Sequence, residues 1–390
     1  MKKKLNILFV IPYFVPAWGG GGPVKIVFNY AKELVKRGHK VTVYTSDVKY
    51  EEERIKKNHL FIGGIEIFYL ANLSNFLACR RIYLPLSFPK IFKKTVKNFD
   101  IIHCFDFRTF QNIWIRNEAI KAKIPYVVSV FGQMNRGSGI LSLVKSLYDF
   151  FWGRKFLKDA SLVFAQNDHE KKDLLNFGVK EEKITLLPLA IDFSEFEKLP
   201  KRGSFREKYG IKPDEFLILF LGRIHFLKGI DLLINSMPLI LKKIPKAKLV
   251  IVGRDDGDLK RLKRITANLG LESKVLFIGP IYEKERIKAY TDADIFVLTP
   301  RFYEETSLAS IEALACGIPI IINKRNQAPF LKKLNLGIEL KDNSQEAISR
   351  SIVILCKNRI SREVIREMVK KVFDIKKIIN KLEEFYFKII

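Results

Sequence analysis

The sequence predicts an α/β protein built from two doubly wound, Rossmann-like domains, and three observations carry that expectation. Short apolar runs alternate with helix-length amphipathic segments along almost the whole chain. The strand–loop–helix pattern that opens the chain starts afresh after residue 214. The length, 390 residues, suits about two domains of ~100–200 residues, each able to bury its own core. A hydrophobic share of 48% against 28% charged, with 22 Gly and 15 Pro, excludes a disordered, collagenous or low-complexity chain.

Residues 1–196 make the expected first domain. Leu5–Pro12 reads as an apolar strand, followed by the loop Gly19-Gly20-Gly21-Gly22-Pro23 and a helical pattern from Val24 to Arg37 with Ile26, Val27, Tyr30, Ala31 and Leu34 on one face. Gly38-His39 closes that helix and Lys40–Ser46 is a second strand, which together form a parallel βαβ unit. Ile65–Tyr69, Ile101–Cys104, Tyr126–Val130, Leu162–Ala165 and Ile184–Leu187 supply further strands.

The periodicity lapses over Glu197–Pro213, which reads as a linker. Residues 214–370 make the second domain, with strands at Phe216–Leu221, Lys248–Val252, Val275–Ile278, Ile295–Leu298 and Ile318–Ile322 and a helix over Gly229–Lys243. The C-terminal residues 371–390 close a basic helical run, expected to pack back on the first domain. The two sheets would face one another across a cleft, with ligands beyond the carboxyl ends of the strands.

Bulk features exclude several functions. Four cysteines far apart in sequence read as reduced, inert thiols, and the five histidines form no metal-binding cluster. No apolar run reaches the ~18 residues of a membrane span, and the start shows no cleavage site, so a cytoplasmic protein is expected. The net charge of +27 points to an anionic ligand, an anionic membrane or nucleic acid. It is spread over both halves, and no nucleic-acid-binding motif accompanies it, so a nucleic-acid partner is not expected.

Two segments of the second half carry chemistry. Around Glu304, Glu305, Thr306, Ser307, Leu308 and Glu312 a strand ends, two acidic residues follow and a helix begins. The helix N-terminus favours an anion, and Glu312 can accept hydrogen bonds from a diol such as ribose. Ordinary first-turn acidic residues remain the alternative. Gly222–Gly229 is also a strand-to-helix loop, and its cations Arg223 and Lys228 could stabilise a diphosphate as a leaving group or pair with surface carboxylates.

These residues resemble the retaining glycosyltransferases of the GT-B fold, in particular glycosyltransferase family 4. Glu304 and Glu312 match that family's E-x7-E segment, and Gly-Arg followed by Lys-Gly matches its diphosphate loop, within a likeness running from about Asn6 to about Tyr386. The resemblance implies that Arg223 and Lys228 bind the donor diphosphate, Glu312 the ribose and Glu304 the transferred sugar. It further implies that Thr306, Ser307 and Leu308 contact sugar and phosphate through their backbone, that Gly253, Ile278 and Gly279 border the base, and that Gly21 and Gly22 lie near acceptor and diphosphate. No metal or other cofactor is implied, because the cations and the helix terminus stand in for a divalent ion.

The pattern departs from the family at three places. Glu305-Thr306-Ser307 replaces a common Gly-Phe-Gly, Leu189-Ala190 replaces Asn-Gly, and Phe131 stands where many members have a histidine that contacts the donor sugar. His103 is read either as lining the acceptor side or as a buried structural residue. The implied reaction moves a sugar from a nucleotide-diphosphate donor to a hydroxyl of a glycan or lipid-linked glycan, in cell-envelope polysaccharide or glycolipid assembly at the inner face of the membrane. Leu84–Lys97, where Ile91, Phe92, Thr95 and Val96 share a face beside four lysines, is read as an anionic-membrane contact or as a domain-packing helix. A GT-B epimerase or hydrolase, or an inactive donor-binding relative, is the alternative. An NAD-dependent oxidoreductase leaves the second-half motifs unexplained, because the N-terminal glycines do not fit G-x-G-x-x-G.

Overall fold

The computed structural model describes residues 3–18, 21–50, 53–79, 82–134, 140–302, 306–324, 329–358 and 360–390. The chain divides into two compact units, the first made of residues 1–190 and 375–390 and the second of 191–374.

The first unit holds β1 (Asn6–Val10), β2 (Lys40–Ser46), β3 (Val48–Tyr50), β4 (Glu53–Arg54), β5 (His59–Ile62), β6 (Ile65–Leu70), β7 (Ile101–Phe105), β8 (Tyr126–Ser129), β9 (Leu162–Ala165) and β10 (Ile184–Leu186). Eight of them form one sheet in the order β10-β9-β8-β7-β1-β2-β6-β5, parallel except for the β5–β6 hairpin, while β3 and β4 form a separate ribbon. Strand β1 lies between β2 and β7, and Ile7, Leu8, Phe9 and Val10 are all buried. Helices cover both faces of such a sheet, so its central strands read as unbroken apolar runs.

The helix Ile375–Ile389 belongs to the first unit. Arg37 donates to Glu383 (2.7 Å) and to the Lys376 carbonyl (2.8 Å), and His39 Nε2 lies 2.8 Å from the same Glu383. Burial pulls the Glu383 carboxyl up, but the hydrogen bonds from His39 and Arg37 outweigh it and hold the group below its ordinary value. The helix Phe88–Thr95 packs its apolar side inward: Phe88 and Phe92 are fully buried, Val96 beyond it is buried, and Lys90, Lys93, Lys94 and Lys97 are exposed. Of the two readings of Leu84–Lys97 the structure gives the domain-packing one. The apolar face that a membrane would need is already covered by the core around Tyr44 and Phe99.

The second unit holds β11 (Phe216–Leu221), β12 (Ala247–Val252), β13 (Val275–Gly279), β14 (Ile295–Leu298), β15 (Ile320–Asn323) and β16 (Gly337–Leu340) in one parallel sheet, ordered β13-β12-β11-β14-β15-β16. The segment read as a linker is part of this unit. Ser204–Lys208 is helical, and the Asp292 carboxylate accepts from the amides of Gly203 (2.6 Å), Phe205 (2.7 Å) and Arg206 (3.0 Å). Arg206 is buried and its guanidinium donates to the carbonyls of Asp292, Lys212 and Glu215, which no periodicity rule anticipates. Among the described residues no helix is long and apolar enough to cross a membrane.

Candidate functional site

In the second unit the chain builds β11, β12 and β13 outward to one side, then returns to place β14 on the other side of β11. The loops after β11 and β14 therefore diverge from neighbouring strands at a topological switch point, where open parallel sheets bind ligands. These are the loops that carry the two sequence motifs.

Close backbone approach fixes the first loop. A Cβ on Gly253 would lie 1.7 Å from the Gly222 carbonyl oxygen, so only glycine lets the ends of β11 and β12 meet there. The Gly222 amide donates to Val252 (3.0 Å) and the Gly253 amide to Gly279 (2.9 Å), which ties the carboxyl ends of three adjacent strands together. Gly229 closes the loop in the left-handed region (φ 64°), with the Thr299 carbonyl oxygen 2.1 Å from where a Cβ would stand. The Arg301 amide donates to the Leu227 carbonyl (2.9 Å), so the two switch-point loops are joined to each other.

Within this frame Arg223 is partly exposed and ion-paired with Asp256, and Lys228 ends a short 3-10 turn over Phe226–Lys228 and is half-buried. Arg301 pairs with Asp231 and lies over the Phe226 ring, 4.4 Å from its centre. Asn323 and Asn343 both donate to the Pro300 carbonyl, at 2.6 and 3.2 Å, which anchors the start of the second loop.

The helix Leu308–Ala315 follows that loop, with Ser307 at its N-cap and Thr306, Ser307 and Leu308 half-buried. Glu304 lies outside the described residues, as do Tyr303 and Glu305. Glu312 is 2% exposed, so it is no ordinary surface acid. Arg286 pairs with its carboxylate, Tyr290 donates to it at 3.3 Å, and Arg286 also reaches Glu195 (3.3 Å). Burial opposes the charge on Arg286, but the facing carboxylates of Glu312 and Glu195 raise its pKa above the ordinary value. Burial, reinforced by Glu312, pushes the Cys316 thiol up to about 12, which keeps it protonated and unreactive.

Sequence reading missed Arg286, Tyr290, Asp256, Asp231 and Arg301. Their one legible trace is that Arg286 and Tyr290 stand four residues apart on one helix. Ile278 and Gly279 end β13, both half-buried, beside Gly253.

The remaining predicted residues lie in the first unit. Gly21 caps the helix Gly22–Lys36, whose first residues are Gly22 and Pro23; Gly19 and Gly20 lie outside the described residues. His103 is fully buried, with Nδ1 2.6 Å from the Tyr386 hydroxyl and Nε2 2.8 Å from Ser129 Oγ. Both ring nitrogens of His103 are therefore engaged inside the core, as the structural one of its two readings requires. Phe131 sits just past β8 in the left-handed region (φ 47°) and stacks on Phe105 at 5.6 Å.

Residues 201–372 match the family model described as glycosyl transferases group 1, and residues 20–195 match the model described as glycosyltransferase family 4. The chain is 28% identical over 300 residues to an uncharacterised glycosyltransferase of Methanocaldococcus jannaschii, covering 75% of this chain and 74% of that protein. It is 29% identical over 345 residues to the alpha-monoglucosyldiacylglycerol synthase of Streptococcus pneumoniae, covering 84% and 72%. A crystal structure of HepE from Anabaena in complex with UDP and glucose superposes with a TM-score of 0.76 at 17% identity, over 98% of this chain and 100% of that one. The two sheets, the switch-point site and the two models that between them span most of its length establish that the chain belongs to glycosyltransferase family 4 and is a glycosyltransferase of GT-B fold.

Proposed function

We propose that the second unit binds a nucleotide-diphosphate sugar at the β11/β14 switch point and that the enzyme transfers the sugar, with retention, to a hydroxyl of a glycan or lipid-linked glycan in cell-envelope assembly. The observation that carries this is the convergence of the Arg223–Lys228 loop and the Leu308–Ala315 helix on one switch point. The UDP and glucose in HepE and the glycolipid product named for the pneumococcal relative agree with it. The working location is the cytoplasmic face of the cell membrane.

In this reading the bond between the anomeric carbon and the diphosphate oxygen breaks as the acceptor oxygen attacks from the same face, and the departing phosphate takes the acceptor proton. Arg223, Lys228 and the helix N-terminus stabilise the charge that builds on the diphosphate, so no metal is required. Glu312 accepts from the ribose hydroxyls and Glu304 contacts the transferred sugar. Gly253, Ile278 and Gly279 border the base, and backbone at Thr306, Ser307 and Leu308 meets sugar and phosphate. The first unit takes the acceptor, with Gly21 and Gly22 at the head of its first helix and the apolar Phe131 in place of a hydrogen-bonding side chain.

The test is calorimetric titration with a panel of nucleoside diphosphates and their sugars, followed by turnover of the one that binds. Arg223→Ala and Lys228→Ala change half-buried loop side chains outside the core and should leave the fold intact while lowering kcat by about a hundredfold or more. Absence of binding by every member of the panel, or unchanged turnover in Arg223→Ala, overturns the reading.

A further inference from the structure

The segment Ile140–Gly153 is built inside out. Leu143, Val144, Leu147, Phe150 and Phe151 recur at the spacing of one helix face, the pattern that ordinarily marks a core-facing stripe. Here that stripe faces solvent. Leu143 is 67% exposed, Leu147 59% and Phe150 71%, and Val144, Phe151 and Trp152 are also exposed. The side facing the protein is polar: Asp149 is buried and accepts from Arg108 Nε (2.8 Å) and Nη2 (2.9 Å), and the Tyr148 hydroxyl donates to the Thr109 carbonyl (2.8 Å).

The helix Ile140–Tyr148 widens into a π-turn over Asp149–Gly153, which keeps Asp149 and Gly153 buried while Phe150, Phe151 and Trp152 stand outward in succession. Their rings touch, at 5.2 Å for Phe150–Phe151 and 5.5 Å for Phe151–Trp152. Arg154, Lys155 and Lys158 follow directly, all exposed, and Asp159 is paired with Arg116. A contiguous apolar ridge edged by cations is the form of an element that lies in a membrane interface.

We propose that this ridge is the enzyme's docking surface for an anionic phospholipid bilayer. Phe150, Phe151 and Leu147 enter the acyl boundary, Trp152 lies at headgroup depth, and Arg154, Lys155 and Lys158 meet the lipid phosphates. Each such cation strengthens attachment by about fivefold. A second copy of the chain fits the surface poorly, because a two-fold contact would set these three cations against their own copies on a protein of net charge +27. The proposal builds on the lipid-linked acceptor in the reading above but not on the donor site.

The chain has three tryptophans, so Trp18→Phe with Trp114→Phe leaves Trp152 as the sole reporter. In the full-length protein, vesicles of phosphatidylcholine with phosphatidylglycerol should shift Trp152 emission to the blue, and brominated lipid should quench it; phosphatidylcholine alone should do far less. Phe150→Ser with Phe151→Ser should weaken partition more than about tenfold while leaving thermal unfolding and nucleotide binding unchanged. Lys155→Gln with Lys158→Gln should weaken it by up to about 25-fold at low salt and flatten its salt dependence. Three outcomes overturn the proposal: no partition at low salt, partition that the serine variant leaves intact, or a concentration-dependent dimer in light scattering that the serine variant dissolves. Vesicle binding without nucleotide binding would instead sink the donor reading alone.

Discussion

Arg286 holds the carboxylate of Glu312 inside the second unit, and Tyr290, one turn further along the same helix, donates to it as well. A buried ion pair adds little net stability, yet removing one partner strands the other charge. Arg286→Ala is therefore expected to destabilise the second unit by about 3 kcal/mol, read from urea unfolding. Arg286→Met combined with Glu312→Gln should cost less than the two changes summed, and strict additivity would show that the pair is not coupled.

Asp256 occupies the guanidinium that the proposed diphosphate needs. Asp256→Asn should tighten binding of the preferred nucleoside diphosphate by up to about fivefold at low salt, with the gain shrinking as salt is raised, because the Arg223–Asp256 pair is partly exposed. Weaker binding in calorimetry would mean that Asp256 itself contacts the ligand or holds Arg223 in its binding position.

Gly253→Ala tests the backbone contact between the ends of β11 and β12. A methyl group cannot share space with the Gly222 carbonyl, so strand ends must part and the hydrogen bond from Gly253 to Gly279 must stretch. The expected loss is about 1–3 kcal/mol in unfolding free energy, together with weaker nucleotide binding. Wild-type stability in this variant would refute the packing account.

His103 gives a pH signature. Burial lowers its pKa well below the ordinary value of 6.5, so the folded ring stays neutral while the unfolded ring takes a proton below about that pH. The unfolded state then binds more protons, and the first unit loses up to about 1.4 kcal/mol per pH unit as pH falls below 6.5, with no contribution above it. His103→Gln should flatten that slope in thermal unfolding between pH 7 and 5, and an unchanged slope would assign it to other groups.

The sequence by itself determined the central strands of both sheets, though not β3, β4, β5 or β16, together with their order along the chain and the two loops proposed to hold the donor. Each of these is written in a few consecutive residues, as apolar runs such as Phe216–Leu221 or as glycines at strand ends, and the switch point follows once strand order is known. The β5–β6 hairpin, which turns at Gly63-Gly64, is one element the strand reading does not contain. Tertiary structure alone decided which polar groups meet: Arg286 with Glu312, Asp292 with the amides before Arg206, Asn323 with Pro300, His103 with Tyr386. These partners are 23 to 283 residues apart, and a long-range hydrogen bond leaves no periodicity in the chain. The same limit explains the two amphipathic segments of the first unit. Phe88–Thr95 and Ile140–Tyr148 present similar apolar stripes, but the first meets the core around Tyr44 and Phe99 while the second is anchored through Asp149, just beyond its end, by Arg108. A stripe shows that an apolar face exists; only the packed fold decides whether protein covers it.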